Sequence, residues 1–146
     1  MIYTIGFTKT TAAHFFERLK NNGVEVMLDI RLNNKSQLAG FAKSPDIGWF
    51  LNQLCGIEYV YDDYFAPTEE ILKAYQKHEI DWDGYEAMFL QLMEKRNITG
   101  YIAKKYGQYK EKKICLLCSE PTPEKCHRRL VADYFCDVFG TTVKHL

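Results

Sequence analysis

The chain reads as an α/β protein: one domain over residues 1–146, with a mainly parallel sheet of about five strands, flanking helices and Rossmann-like layering. Three observations predict it. Short apolar runs rich in β-branched residues alternate with longer stretches whose apolar residues recur at helical spacing. The alternation continues to the end of the chain without internal repeat, linker or low-complexity segment. And 146 residues suffice for one real core but not for two comfortable ones.

Each element has its own signal. Ile2 to Ile5 is a short buried strand stopping at Gly6, and "TKTTAAHFFERLKNNG" follows as a helix capped by threonine, faced by Phe15, Phe16 and Leu19, and closed at Gly23. "VEVMLDI" is the second strand, with Val24, Val26, Leu28 and Ile30 on one face. After the irregular "RLNNKSQLAGFAK", "SPDIGWFLNQLCG" reads as a helix with a Ser cap, Pro at the first position and a closing Gly56. "IEYVYD" is the third strand. A loop then leads into a short helix from Thr68. "DGYEAMFLQLMEKRN" is helical, with Tyr85, Met88, Phe89, Leu92 and Met93 on one side. A more polar stretch up to Lys113 allows a further helix. "ICLLC" is the fourth strand, "TPEKCHRRLVADYFCDVFG" the helix after it, with Thr122 as its cap, and "TTVKHL" the last strand.

Composition narrows the function classes. The chain is 47% hydrophobic and 26% charged, as in ordinary globular proteins. Lys plus Arg and Asp plus Glu both count 19, which argues against bulk duplex nucleic-acid binding but allows a small basic pocket. "MIYTIGF" has no signal-peptide pattern, and no stretch approaches a membrane span. Five cysteines without a disulfide framework point to free thiols in a reducing cytoplasm.

The unusual residues collect at strand ends, where open parallel sheets bind ligands. Gly6 follows strand one, Asp29 and Arg31 close strand two, and Cys118 with Glu120 closes strand four. An assumed strand order 3-2-1-4-5 would make these ends neighbours. Asp29 and Arg31 lie two residues apart, point to the same side and should form a partly buried pair. Cys115 and Cys118 form a C-x-x-C, but inside an apolar strand a spacing of three sends the thiols to opposite faces. No tightly bound zinc is therefore expected, and Cys115 belongs to the core. Cys118 stands where the strand runs out. The helix start that follows it, with Cys126, His127 and Arg128 in its first turns, either holds an anion or activates a thiolate.

"YTIGFT", "LDIR", "CSEPTPEKCHRRLVADY" and "TTVKHL" together resemble a family of uncharacterised proteins, domain of unknown function number four-eight-eight. That family opens with T-I-G-H-S, continues with D-V-R and ends with a C-x-E…C-H-R block. The resemblance implies a fold and a site but no settled reaction. Its motifs fall on Gly6, Asp29, Arg31, Cys118, Glu120, Cys126, His127 and Arg128. Phe7 stands where the family often has His, so a mechanism needing that histidine does not transfer, whereas Thr8 keeps a hydroxyl.

Three function classes fit these residues. The first is an enzyme acting on a small phosphorylated or nucleotide-like substrate. Asp29, Cys118, Glu120 and His127 would be catalytic. Gly6, Thr8, Arg31, Ser36, Cys126 and Arg128 would bind substrate, and Tyr59, Tyr61, Tyr64 and Trp82 would offer stacking surface. The second is a Cys118–Cys126–His127 metal site with a carboxylate as fourth ligand. The third is a non-catalytic ligand or nucleic-acid binding module. No cofactor or oligomeric state follows from the sequence.

Overall fold

The computed structural model describes residues 1–35 and 39–146. Five strands, β1 (Ile2–Gly6), β2 (Val26–Asp29), β3 (Glu58–Tyr61), β4 (Ile114–Cys118) and β5 (Val143–His145), form one sheet in the order β3-β2-β4-β1-β5. Every pairing is parallel. The expected order 3-2-1-4-5 is corrected: β4, not β1, sits in the middle, between β2 and β1. The requirement that strands one, two and four lie together is still met.

Alternation along the strands builds two cores. Ile2, Val26, Leu28, Ile114 and Leu116 face one layer, and Tyr3, Ile5, Met27, Cys115 and Leu117 face the other. Leu28 and Leu116 are fully buried, as a central position requires.

The layer opposite Leu116 holds α1 (Ala12–Asn21) and α2 (Asp46–Phe50), the latter continuing as a π-helical turn, Leu51–Cys55. Thr11 caps α1 by accepting the N–H of His14. Helix α2 has no side-chain cap: its N-cap is Pro45 rather than the expected Ser44. Gly56 closes the π turn at φ +65°, a conformation that disfavours a Cβ. Val24 departs from the expected face. Its N–H closes α1 onto Leu19 before β2 begins, so it joins the layer of Met27.

The other layer holds α3 (Glu69–Gln76), α4 (Trp82–Lys95), α5 (Ile98–Tyr101) with the short π and 3-10 turns that follow it, and α6 (His127–Phe139). Thr68 and Asp81 cap α3 and α4. Tyr85, Phe89 and Met93 are the buried stripe of α4, while Met88 turns outward at 41% exposure. At the end of β3, buried Asp62 ties down the α5 segment: its Oδ2 accepts from Tyr101, Lys105 and Tyr106, and its Oδ1 accepts the N–H of Tyr64.

Because the connections after β1 and β2 run over one face and the one after β4 runs over the other, the carboxyl end of β4 opens between diverging loops. This is where ligands seat in such sheets.

Candidate functional site at the carboxyl end of the central strand

Cys118 ends β4 directly opposite Gly6 of β1. The chain then turns through Ser119 and Glu120 across Gly6, and the turn's carbonyls need donors once covered. Thr8 supplies two to Ser119 O, from its N–H at 3.2 Å and its hydroxyl at 2.7 Å. Arg128 supplies another: its Nη1 donates to Glu120 O and its Nε to Thr4 Oγ1 at 3.3 Å. Thr4 also meets Nδ1 of His145 at 2.6 Å, so the brace extends to β5. Gly6, Thr8 and Arg128 thus hold the turn.

Arg128 is unusual in its own right. It is fully buried, its Nη2 has no hydrogen-bond partner, and it makes no ion pair among the described residues. A buried cation without a carboxylate is costly unless negative charge lies nearby.

The thiols of Cys118 and Cys126 are close enough for the Arg128 charge to act on them. Helix α6 begins at His127, not at Thr122 as the local pattern predicts. Residues Pro123–Cys126 close a tight turn through Cys126 N–H to Pro123 O at 3.2 Å, leaving Cys126 as the N-cap. The donor atoms of Cys118, Cys126 and His127 lie within 4.8 Å of one another, and all three residues are buried. His127 is oriented from behind, with Nε2 2.9 Å from Ile30 O. A carbonyl only accepts, so Nε2 carries a hydrogen, and in the neutral ring Nδ1 presents its lone pair 3.4 Å from Cys118 Sγ. Cys126 is held well below an ordinary thiol, first by the hydrogen bond from Cys118 and, against the cost of burial, by His127 and Arg128. Its place at a helix N-terminus acts in the same direction. Cys118 is pushed up by donating to Cys126 and then by burial. Cys115 lies in the opposite layer and takes no part; burial raises its thiol too.

Asp29 and Arg31 form the expected pair, bidentate and more deeply buried than the sequence implies. Arg31 Nε reaches Oδ1 at 2.8 Å and Nη2 reaches Oδ2 at 2.7 Å, with the side chains 3% and 0% exposed. The N–H of Arg31 and the hydroxyl of Tyr59 complete the carboxylate's bonds. The Arg31 guanidinium lies over the Phe7 ring, 5.0 Å from its centroid. Burial alone would lower the Arg31 pKa, but the Asp29 hydrogen bonds and charge raise it.

The thiol–imidazole cluster forms part of the lining of a cleft of about 580 Å³, within the range of small-molecule sites. One wall carries Tyr75, Trp82 and Tyr85, the last two stacked at 5.1 Å and 23°. Arg31 and Asn33 line it from the end of β2, and exposed Glu120 and Lys125 stand at the turn.

Of the residues expected here, Arg31, Cys118, Glu120, Cys126 and His127 line the cleft; Gly6, Thr8, Asp29 and Arg128 pack behind it. Ser36 lies outside the described residues. Of the four aromatic residues read as stacking surface, Trp82 is in the cleft, whereas Tyr59 is bound to Asp29, Tyr61 to Leu32 O and Tyr64 to Arg96 O. Tyr75, Gln76, Asp81 and Tyr85 escaped sequence reasoning. Their only local signals are ordinary helix periodicity and the Asp81 cap, which say nothing about a cleft.

A family model described as "Domain of unknown function DUF488" matches residues 11–135, a span that contains Asp29, Arg31 and the whole Cys118–Arg128 turn but begins after Gly6 and Thr8. No curated protein and no solved structure matches the chain.

Proposed function

The chain belongs to the DUF488 family, and we propose that it is an enzyme whose reaction centre is the Cys118–Cys126–His127 cluster, acting on a small, flat, polar substrate of nucleotide-like chemistry. One observation carries this reading: two thiols and an imidazole are gathered at one point on the lining of an open, aromatic-walled cleft. A binding module needs the wall but has no use for the cluster, and buried thiols beside a lone pair and a cation are arranged for chemistry.

The roles follow from position. Trp82 and Tyr85 offer a π face to a ring, while Asn33 and Gln76 present amides to its polar edge. Glu120 is an exposed carboxylate on the cleft lining, two residues beyond Cys118, and serves as acid or base. Asp29 has its oxygens occupied by Arg31 and Tyr59, so it positions Arg31 rather than moving protons. Lys125 at the rim meets an anionic group, and the buried charge of Arg128 favours it from behind. Five free thiols suit a reducing compartment such as the cytoplasm.

Thermal-shift titration with nucleosides, nucleotides and sugar phosphates tests it. A true ligand stabilises as RT ln(1 + [L]/Kd), Trp82→Ala removes the gain, and Glu120→Gln keeps the gain but loses turnover of that ligand. If no compound of these classes stabilises the wild type, the substrate class is wrong. If Glu120→Gln and Cys126→Ser leave turnover intact, the reaction centre is wrong.

A further inference from the structure

We propose that Cys118, Cys126 and His127 are the protein ligands of a single zinc-type metal ion whose remaining position opens into the aromatic cleft; the proposal rests on the reading of this cluster as the reaction centre and gives that centre its cofactor. The geometric evidence starts from the separations. Two ligands at about 2.3 Å (thiolate) and 2.05 Å (imidazole) from a tetrahedral ion stand about 3.5 Å apart, and Cys118 Sγ lies 3.4 Å from His127 Nδ1. Cys126 Sγ falls within 4.8 Å of Cys118 Sγ and of a ring nitrogen of His127, so one ion reaches all three residues with small side-chain adjustments.

The histidine is set up as a ligand is. Its Nε2 is fixed on the backbone carbonyl of Ile30 at 2.9 Å, which leaves Nδ1 as the nitrogen aimed at the thiols and, in the neutral ring, the one free to ligate. Orientation of a ligating imidazole by a carbonyl on its other nitrogen is the usual supporting shell of a metal site. The three donors also come from well-fixed backbone: the last residue of the central strand, and the N-cap and first residue of a thirteen-residue helix.

The donor set selects the metal. Two thiolates and one imidazole suit zinc, and three protein ligands with a free position are the pattern of a catalytic rather than a structural zinc. The deeply buried carboxylate of the neighbourhood, Asp29, is already saturated by Arg31 and Tyr59, which leaves the fourth position to water, to substrate or to Glu120 from the turn. The charge is consistent as well. A dication offsets two thiolates, and the fully buried Arg128 then leaves the centre with a net positive charge that favours an anionic group in the cleft.

The expectation of no zinc rested on Cys115 and Cys118, and that argument holds for that pair, since Cys115 lies in the other layer. It does not bear on Cys126, which the turn before α6 brings back to Cys118.

The test uses the full chain without a histidine tag, purified with thiols reduced and no chelator. Elemental analysis after gel filtration should find about one zinc per chain, lost in Cys126→Ser and His127→Gln and retained in Cys115→Ser. Cobalt substituted into the wild type should show the intense visible bands of a tetrahedral ion and a near-ultraviolet thiolate charge-transfer band. Wild type that stays metal-free after incubation with zinc, or that gives a weak octahedral cobalt spectrum without the thiolate band, overturns the proposal. So does equal metal loss in Cys115→Ser. The cobalt spectrum decides the matter even where a variant fails to fold. Running the ligand titration on metal-free and metal-loaded protein separates the two readings. Protein that binds ligand but takes up no metal leaves the cleft standing and removes the zinc; protein that takes up metal but binds no ligand does the reverse.

Discussion

The carbonyl oxygen of Glu120 lies 1.7 Å from where a Cβ on Gly6 would stand. No side chain fits there, because the obstacle is backbone that Thr8 and Arg128 hold in place. Glycine at this position is what lets the Ser119–Glu120 turn cross β1 and bring Cys126 back to Cys118.

Gly6→Ala is therefore expected to destabilise the protein by at least the cost of an overpacked core site, about 1–3 kcal/mol, in urea unfolding. It should also displace the turn and lower metal content in the folded fraction. Wild-type stability and metal content in this variant would show that the turn yields freely.

Asp29→Asn breaks a fully buried pair and leaves the Arg31 guanidinium without its counter-charge, at a cost of about 3–5 kcal/mol. Tyr59→Phe removes one hydrogen bond to the same carboxylate and should cost about 1.5–3 kcal/mol. Because both act on one network, the double variant should cost less than the sum of the two singles. Strict additivity, measured by chemical denaturation, would mean that Tyr59 does not engage Asp29.

Asp62 gives the fold an acid dependence. Burial alone would raise its pKa, but hydrogen bonds from Lys105, Tyr106 and Tyr101 hold it below the ordinary aspartate range. A group whose folded pKa is depressed stabilises the protein above its unfolded pKa, about 3.9, and loses that contribution as pH falls through the folded value. The stability gap between wild type and Asp62→Asn should be widest near neutral pH and shrink steadily on acidification below about pH 4. A gap that does not change with pH would show that the Asp62 charge contributes nothing.

Much of this architecture is legible in the residues, and the illegible parts have physical reasons. Helices α1, α3 and α4 carry their own start signals in Thr11, Thr68 and Asp81, and the side chain of each accepts a backbone N–H. Helix α6 starts at His127 although Thr122-Pro123-Glu124 is a good local N-terminus. Tertiary bonds prevail there, from Arg128 to Glu120 O and from His127 to Ile30 O. The strand order departs from 3-2-1-4-5 because pairing partners of parallel strands are set by crossovers, which local periodicity does not encode. For the same reason the cluster residues could be named from their chemistry, but the wall formed by Tyr75, Trp82 and Tyr85 could not. It exists only because α3 and α4 return over the end of a strand made some thirty residues later.

The slot of β4 between β2 and β1 also governs how the molecule comes into being. A chain emerging from the ribosome makes β1 and β2 early, yet these two strands never touch each other in the finished sheet. Until Ile114–Cys118 is released, β2 has only β3 beside it and β1 has no partner at all. The open edges invite mispairing. Insertion of one five-residue strand then satisfies both neighbours at once and, with the turn behind it, assembles the thiol cluster. The strands made first thus stay without their central partner until β4 arrives, and the centre of the sheet and the thiol cluster come together in the same late step.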